Sequence, residues 1–504
     1  MITTIRSRAL FAHALVATSL ALAATPARAD DNVSSLLVII TRDLAATPAR
    51  QVLSLDENGL SAELTDGRIT SFPADQVIGW APASWYIDSS TTRGAARTGI
   101  SAADRRSTIE WPSTLTTTDG SRLYGKLTAD TQGDEGFITW TGPLLGPSRF
   151  KLEQLASIIV RSGPLTAAVS TLPDAGSRAD PAGPASEDTA LLRNGDLLRG
   201  FVQGFAVSAT GSLVLNFESS KQPAAAQPTA QPAAGKPAPA SAPVTLELPL
   251  DRVDAITFNN PAVPPSGARI WLTDDSIIAA PRLTKIASGV AAPSRLTVTA
   301  NPSTVGAPAP TFQIDTSRVA AVNLSTTTAA SLASCVRAFE PAPGATPVRP
   351  ASSRPSISVV GQLVTAQGAT NTAAASATTV PFDARDIDLP CHGTMTITLP
   401  TGTTTVSFAA MLPDDCRVWG DCQLQVELIT PRGPRPLTTI TLNADRPTTD
   451  VQIDLEPDAA TTAARGTSSA SLRFTLRDNP AGYGPIQDRV TIRRGLLVRN
   501  SPQR

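Results

Sequence analysis

Short runs of alternating apolar and polar residues dominate the chain. Val, Ile, Leu and Thr recur in segments of about four to eight residues, and Asp-Gly, Asn-Gly and Thr-Gly turn signals separate them. No window outside the first 29 residues carries apolar residues at the i, i+3, i+4 spacing of a helix. The pattern therefore predicts an all-β protein.

A weak repeat divides much of the chain into four units. In each copy an acidic residue or a serine precedes Gln or Arg, an aliphatic residue follows at once, and another apolar residue comes three positions later. The copies are residues 72–80, 150–158, 248–256 and 314–322. This spacing predicts a single turn of 3₁₀ helix that places one aliphatic side chain in a core before the last strand of the unit.

A turn signal opens a hairpin in the last three units, at residues 118–120, 193–195 and 273–275. Asp-Gly and Asn-Gly provide the positive φ angles that two-residue hairpins need. In the first unit Asp66-Gly67 falls at a later hairpin instead. We expect about five short strands per unit, the size of a small SH3-like barrel, in a bead-like array. The pattern resembles repeat units of exported planctomycete-type proteins, which implies architecture rather than activity.

The length of 504 residues suits about three or four folded units, and low-complexity stretches rich in Pro and Ala mark the boundaries. We place β repeats at 30–88, 109–165, 189–260 and 266–326, linkers at 166–188 and 340–377, a disordered insert at 220–243, and a C-terminal domain at 378–500. Residues 1–29 have the basic start, the apolar middle and the Ala27-Arg28-Ala29 end of a signal peptide. They predict export to the periplasm or the extracellular space.

Seven strand-like runs lie in the C-terminal domain and predict a jelly-roll β-sandwich. They are residues 393–399, 404–410, 423–429, 437–442, 450–455, 471–476 and 489–499. The strands 395–399 and 406–412, the acidic turn Asp414-Asp415, the turn at Gly420 and the closing strand from Asp488 resemble the NPCBM (novel putative carbohydrate-binding module) family. The resemblance implies a galactose-binding-like jelly roll that contacts carbohydrate.

Jelly rolls of this class bind sugars at one end of the sandwich, where an aromatic ring stacks on the sugar. Trp419, between Cys416 and Cys422, and Tyr483, between two glycines, are the candidate carbohydrate-binding residues. The alternative is that both rings cover the edge of the core.

Asp414, Asp415 and Asp421 fall within eight residues of one another and are candidate ligands of a structural Ca²⁺, the one cofactor that the sequence suggests. Solvated turn aspartates are the alternative.

The four cysteines fit an oxidising compartment. Cys416 with Cys422, and Cys335 with Cys391, are the expected disulfides, although three connectivities are possible and free buried thiols are the alternative. A zinc site built from all four cysteines is disfavoured, because no pair has the C-x₂-C spacing.

Composition excludes several classes of function. A net charge of −1 gives no electrostatic case for nucleic acid or anionic lipid as a partner. Only His392 remains beyond the predicted signal peptide, which excludes sites built from several histidines. No later stretch approaches the roughly 20 apolar residues of a membrane span. The sequence shows no glycine-rich phosphate-binding loop, no nucleophile elbow and no cluster of metal ligands, so we expect no enzymatic activity.

Two functions remain. The first is an exported, non-catalytic multidomain protein whose C-terminal jelly roll binds carbohydrate or another cell-surface component. The alternative is a structural or adaptor protein of the cell envelope, whose β repeats mediate protein–protein contacts. A hydrolase ranks far behind, since no unit exceeds about 130 residues and no separate catalytic domain is visible. The oligomeric state is left open.

Overall fold

The structure, a computed structural model, describes most of the chain beyond residue 35. The described ranges are 36–56, 58–86, 113–128, 136–160, 187–219, 244–263, 267–286, 295–299, 311–340, 356–359, 362–363, 381–455, 470–482 and 488–499. Within them the regular structure is almost entirely β-strand, so the predicted all-β class is confirmed. The predicted signal peptide and the insert at 220–243 lie outside the described residues.

The first two β units, named unit 1 and unit 2, have five strands each. Unit 1 comprises β1 (Leu37–Thr41), β2 (Ala46–Asp56), β3 (Gly59–Leu64), β4 (Ile69–Pro73) and β5 (Val77–Pro82), followed by the short helix α1 (Ala83–Tyr86). Unit 2 comprises β6 (Ser113–Thr117), β7 (Arg122–Thr128), β8 (Phe137–Gly142), β9 (Gly146–Lys151) and β10 (Leu155–Ile159).

Units 3 and 4 follow the same plan, with one additional strand in unit 4. Unit 3 comprises β11 (Asp188–Leu192), β12 (Leu197–Val207), β13 (Leu213–Ser219), β14 (Val244–Pro249) and β15 (Val253–Thr257). Unit 4 comprises β16 (Ala268–Leu272), β17 (Ile277–Ala280), β18 (Arg282–Ile286), β19 (Arg295–Thr299), β20 (Thr311–Asp315) and β21 (Val319–Asn323).

Each unit is closed by pairing between its first and last strands. The closing pairs are β1 with β5, β6 with β10, β11 with β15 and β16 with β21, all antiparallel. In every unit the first strand also pairs with the second. The first strand therefore has both edges satisfied, which is the way a small β unit avoids an exposed edge. The SH3-like description of these units stays a prediction.

The local signals of the repeat are confirmed in units 2, 3 and 4, whereas the copy at 72–80 forms a turn without a 3₁₀ helix before β5. Gly120, Gly195 and Asp275 adopt positive φ angles of 83°, 89° and 68° in the three predicted hairpin turns. A 3₁₀ turn precedes the last strand of units 2, 3 and 4, at Leu152–Gln154, Leu250–Arg252 and Thr316–Arg318. The buried residues that follow, Leu155 and Val253, enter the core as the spacing predicted.

The units are joined to one another by strand pairing. β5 pairs with β21, β7 with β17 and β10 with β15, so strands of all four units belong to one 18-stranded sheet. Gly79 of β5 is required at the junction between units 1 and 4, because a Cβ there would overlap the carbonyl oxygen of Val322. The described parts of the units thus form a continuous assembly rather than separate beads.

The C-terminal part is a sandwich of two antiparallel sheets. Its strands are β22 (Ala329–Ser331), β23 (Val336–Glu340), β24 (Ser356–Val359), β25 (Gln362–Leu363), β26 (Asp386–Pro390), β27 (Thr394–Thr398), β28 (Thr403–Met411), β29 (Cys422–Thr430), β30 (Gly433–Leu442), β31 (Thr448–Asp454), β32 (Ser471–Asp478) and β33 (Arg489–Arg499). One sheet has the order β25-β24-β26-β33-β28-β31, with β22 also paired to β33, and the other has the order β23-β27-β32-β29-β30. The predicted C-terminal sandwich is confirmed.

Period-two alternation builds the core between the two sheets. In β29 and β32 every second side chain is buried, as expected for strands with one face on a core. Phe408 of one sheet meets Phe474 of the other edge to face, with ring centroids 5.4 Å apart. The sandwich thus has its own apolar core.

The sandwich includes strands upstream of residue 378, where the sequence analysis places its beginning. β22 pairs with β33, and β23 pairs with β27 as the edge strand of the five-stranded sheet. β24 and β25 fall inside the predicted linker 340–377, yet β24 pairs with β26. These additions arise because long-range pairing, which local patterns do not encode, satisfies the sheet edges.

A third apolar cluster joins the sandwich to units 1 and 4. Phe382 packs between Trp85 and Trp271, with ring centroids 5.5 and 5.6 Å apart, and Leu496 and Val498 of β33 belong to the same cluster.

In the ranges described, no helix has the length and apolar character needed to cross a membrane.

Candidate functional site

Several segments meet at one end of the sandwich, which we name the tip: residues 391–393, 412–422, 478–482 and 488–489. Cys422, at the start of β29, lies opposite Asp478 at the end of β32. The backbone N–H of Cys391 donates to the carbonyl of Asp488 at 2.8 Å, and that of Asp421 donates to Asp488 Oδ1 at 3.0 Å. Asp488 thus connects the turn after β26 to the loop before β29.

The loop from Leu412 to Asp421 is held by hydrogen bonds within its own backbone. The N–H of Cys416 donates to the carbonyl of Pro413 at 2.8 Å, and the N–H of Gly420 donates to the carbonyl of Cys416 at 2.7 Å. A Cβ on Gly420 would lie 2.7 Å from the Cys416 carbonyl oxygen, so the turn requires glycine. The loop is therefore fixed before any ligand binds.

Two large apolar side chains are displayed on this loop. Trp419 is 59% exposed and Val418 is 69% exposed. Trp419 consequently does not cover the core edge, the alternative that the sequence left open. Tyr483, the second predicted carbohydrate-binding residue, lies outside the described residues. Sugar contact by either ring stays a prediction.

The three aspartates proposed for Ca²⁺ have different partners in the structure. Asp414 Oδ1 lies 3.0 Å from Arg417 Nη2, and both carboxylate oxygens of Asp415 accept from Arg489 Nη2 at 2.9 and 3.1 Å. Asp421 Oδ1 accepts from Asn479 Nδ2 at 2.7 Å. The loop brings the three side chains to the tip, but each faces its own protein partner. Their joint binding of Ca²⁺ stays a prediction.

A second group of polar side chains at the tip was not anticipated. The Cys391 thiol donates to Asp478 Oδ1 at 2.9 Å, and His392 Nε2 lies 3.3 Å from the same oxygen. His392 has a φ of 57°, in the left-handed region that a tight turn between two strands requires. The adjacent Cys391-His392 pair was the available sequence signal, but Asp478 joins it only through sheet pairing.

Burial and neighbouring carboxylates perturb the acids and thiols of the tip. Asp488 is 6% exposed, and burial together with the nearby Asp478 and Asp421 raises its carboxyl pKa to about 6. Burial raises the pKa of the Cys416 thiol to about 11, and it raises the thiol pKa values of Cys391 and Cys422 as well. These thiols are protonated at neutral pH in the structure.

Neither of the expected disulfides is present in the structure. All four cysteines lie in the described residues, and all are free thiols. Cys335 directly precedes Val336, the first residue of β23, which pairs with Ile397 near the end of β27. Cys391 lies at the opposite end, just before β27 begins. The five residues of β27 span about 16 Å and separate the two cysteines. A disulfide allows no more than roughly 7 Å between Cα atoms.

Cys416 and Cys422 are likewise not bonded to each other in the structure. The Cys416 thiol donates to Asp415 Oδ1 at 3.6 Å, while Cys422 is fully buried in the core cluster of the sandwich. Cys416 is also one of the neighbours that raise the pKa of the Cys422 thiol, so the two thiols lie near each other at the tip without a bond between them.

Comparisons with known proteins give no family assignment. No protein-family model matches the chain, and no curated protein matches it either. One similar solved structure is the carbohydrate-binding module CBM51 of a Clostridium perfringens GH95 protein, in complex with methyl-galactose. It has 9% identity to this chain and a TM-score of 0.21, and the match covers 34% of this chain and 100% of the module.

Two other modules are similar at the same level. A CBM61 module in complex with β-1,4-galactotriose has 10% identity and a TM-score of 0.16, and the match covers 23% of this chain and 72% of the module. A CBM4 structure has 12% identity and a TM-score of 0.14, and the match covers 23% of this chain and 83% of the CBM4 chain. Scores this low carry no argument about this chain. Its own strands define it as an all-β protein with a C-terminal sandwich.

Proposed function

We propose that the chain is an exported, non-catalytic protein that binds carbohydrate at the tip of its C-terminal sandwich. The observation that carries the proposal is the exposure of Trp419 on a loop whose backbone is already fixed. Covering an exposed aromatic ring with the apolar face of a ligand is favourable, and a loop that is already ordered loses little entropy on binding.

The surroundings of Trp419 suit a sugar. The apolar face of a pyranose can stack on the ring, while its hydroxyl groups need hydrogen-bond donors and acceptors close by. Asp414, Asp415, Arg417 and Arg489 provide carboxylates and guanidinium groups on or beside the same loop. The resemblance of the strands flanking this loop to the NPCBM family supports the same conclusion.

The expected contribution of the ring follows from its area. Covering about 80 Å² of apolar surface at roughly 25 cal/mol/Å² stabilises the complex by about 2 kcal/mol. Loss of that contact corresponds to about a 30-fold rise in Kd. Carboxylate and guanidinium contacts then set which sugar is preferred, since they have fixed positions relative to the ring.

A glycan array tests the proposal with the full chain. We expect a specific set of glycans to be retained, and Trp419→Ala to lose them. Phe201→Ala is the matched control, since Phe201 is also an exposed aromatic residue, 46% exposed, on β12 of unit 3. Running the array with and without Ca²⁺ tests the predicted role of Asp414, Asp415 and Asp421. Equal retention of wild type and Trp419→Ala would contradict the proposal.

The adaptor function remains the alternative, and one observation favours it. Leu197, Phe201 and Val207 on β12 are all exposed apolar side chains. Leu197 and Phe201 lie four residues apart on one face of the strand, before the bulge that follows Val202, and such exposed apolar side chains are suited to contact with another protein. A partner from the exported fraction that binds wild type and Trp419→Ala, but not Phe201→Ser, would support this function. Binding that Phe201→Ser leaves intact would count against it.

A further inference from the structure

Three side chains with metal-binding atoms converge at the tip. The sulfur of Cys391, the ring nitrogen Nε2 of His392 and an oxygen of Asp478 lie within 4.8 Å of one another. In the part of the chain that the structure describes, no other group of three His, Cys, Asp or Glu side chains is this close. Cys391 and Asp478 are 87 positions apart, so the group exists only in the folded sandwich.

The separations fit a tetrahedral ion. Bonds of about 2.3 Å to sulfur and about 2.0–2.1 Å to nitrogen or oxygen place neighbouring ligand atoms about 3.3–3.6 Å apart. The observed distances from Asp478 Oδ1 are 2.9 Å to Cys391 Sγ and 3.3 Å to His392 Nε2. Small side-chain movements therefore bring the three atoms onto one ion.

Asp488 lies beside this group, close to the Cys391 sulfur but not within 4.8 Å of all three ligand atoms, so it would have to move further to become the fourth ligand. Its Oδ2 lies 3.9 Å from Cys391 Sγ, while its Oδ1 accepts the backbone N–H of Asp421 at 3.0 Å. The hydrogen bond from Asp421 orients the carboxylate and leaves Oδ2 on the side of Cys391. Carboxylates that bind metal ions are commonly held in this way by an outer hydrogen bond.

We propose that Cys391, His392, Asp478 and Asp488 bind a Zn²⁺ ion at the tip of the sandwich. One sulfur, one imidazole nitrogen and two carboxylate oxygens form a donor set that Zn²⁺ accepts in four-coordinate geometry. Ca²⁺ requires six to eight oxygen ligands, so this site is distinct from the Ca²⁺ predicted at Asp414, Asp415 and Asp421. The inference does not depend on carbohydrate binding.

The ion would fasten four chain segments together. It joins the turn between β26 and β27 to the end of β32 and the start of β33. Through the hydrogen bond between Asp488 and Asp421 it also supports the end of the loop that displays Trp419. Two neighbouring carboxylates and a thiolate are then compensated by a divalent charge, and binding stabilises the folded sandwich.

Titration with Co²⁺, a spectroscopic substitute for Zn²⁺, tests the site in the full chain without a histidine tag. The metal-free protein is expected to bind one Co²⁺ and to show a thiolate-to-cobalt charge-transfer band and the visible bands of a tetrahedral ion. One equivalent of Zn²⁺ should displace it, and excess Ca²⁺ should not. Absence of the charge-transfer band in the wild-type protein would overturn the proposal.

Variants locate the site. Cys391→Ser should remove the charge-transfer band, and His392→Ala, whose ring is partly exposed and not needed for the core, should raise the Co²⁺ dissociation constant by at least about tenfold. Cys335→Ser is the matched control, because Cys335 lies toward the other end of β27 and should leave the spectrum unchanged. A band that survives Cys391→Ser, unchanged affinity in His392→Ala, or equal loss in Cys335→Ser would contradict the assignment.

Discussion

Leu332 tests whether residues 329–340 belong to the sandwich. This side chain lies between β22 and β23 and is fully buried in the sandwich core. Its N–H donates to the carbonyl of Gly495 at 2.9 Å, and a Cβ on Gly495 would lie 2.6 Å from the Cβ of Leu332. The segment is therefore packed directly against β33, and truncation of Leu332 should destabilise the whole sandwich.

The expected loss can be estimated from core truncations. Leu→Ala at a fully buried site costs about 2–5 kcal/mol, and we take about 3 kcal/mol for Leu332→Ala. With a urea m-value of about 2 kcal/mol/M, the midpoint of unfolding of the sandwich should fall by about 1.5 M. A change of that size is easily measured.

Thiol labelling measures the unfolding of the sandwich separately from the unfolding of units 1 to 4. All four cysteines lie in the sandwich, and Cys422 is fully buried within its core. Pulsed alkylation in increasing urea, quantified by mass spectrometry at the Cys422 peptide, therefore reports opening of the sandwich in the full chain. Unfolding of another unit changes this signal only if it also opens the core of the sandwich.

Leu197→Ala is the matched control, because Leu197 is 45% exposed on β12. We expect its Cys422 midpoint to shift by less than about 0.3 M, since exposed substitutions usually stay within about 0.5 kcal/mol. If Leu332→Ala shifted the midpoint no more than this control, residues 329–340 would not be part of the sandwich core, and the reasoning would be refuted.

Three further predictions concern other parts of the structure. Phe474→Ala removes the ring that meets Phe408 between the two sheets and should cost about 3–5 kcal/mol by the same Cys422 assay; a loss below about 1 kcal/mol would contradict the packing. Burial raises the pKa of the Cys416 thiol to about 11, so its alkylation rate in the native protein should rise about tenfold per pH unit from pH 8 and level off only near pH 11. A rate that levels off near the usual thiol pKa of 9.0 would show that the thiol is solvated. Gly79→Ala should separate β5 from β21 and accelerate hydrogen exchange of the Leu324 amide, which donates to the Ile78 carbonyl, by at least about tenfold; unchanged exchange would mean that units 1 and 4 are not joined there.

Features encoded by neighbouring residues were predictable. The seven strand-like runs of the C-terminal domain correspond to β27–β33, because alternation with period two directly reports a strand with one buried face. The turns at Gly120 and Gly195 followed from the need for positive φ. The 3₁₀ turns at Leu152–Gln154, Leu250–Arg252 and Thr316–Arg318 followed from the spacing of one aliphatic residue after an acid or serine.

Features that depend on distant pairing were not predictable from one sequence. β23 is a short strand next to a Pro-rich stretch, and only its pairing with β27 places it in the sandwich. The joining of β5 to β21 has no local signal other than Gly79. At the tip, Trp419 and the aspartates followed from loop position, but the Cys391–Asp478 contact needed the folded β27–β32 pair.

The disulfide prediction shows how a compositional argument can fail. Even numbers of cysteines in an exported chain favour disulfides in general, yet strand geometry decides which thiols can meet. β27 separates Cys335 from Cys391, and the carboxylate of Asp478 occupies the position beside the Cys391 thiol.

Footprinting of Trp419 tests the central claim most directly. The full chain is exposed to hydroxyl radicals with and without the glycan that the array selects, and oxidation is quantified peptide by peptide. The glycan is expected to protect Trp419, while oxidation of Phe201, which is 46% exposed against 59% for Trp419, stays unchanged. If bound glycan left Trp419 oxidation unaltered, or if no glycan bound at all, the tip would not be a carbohydrate-binding surface.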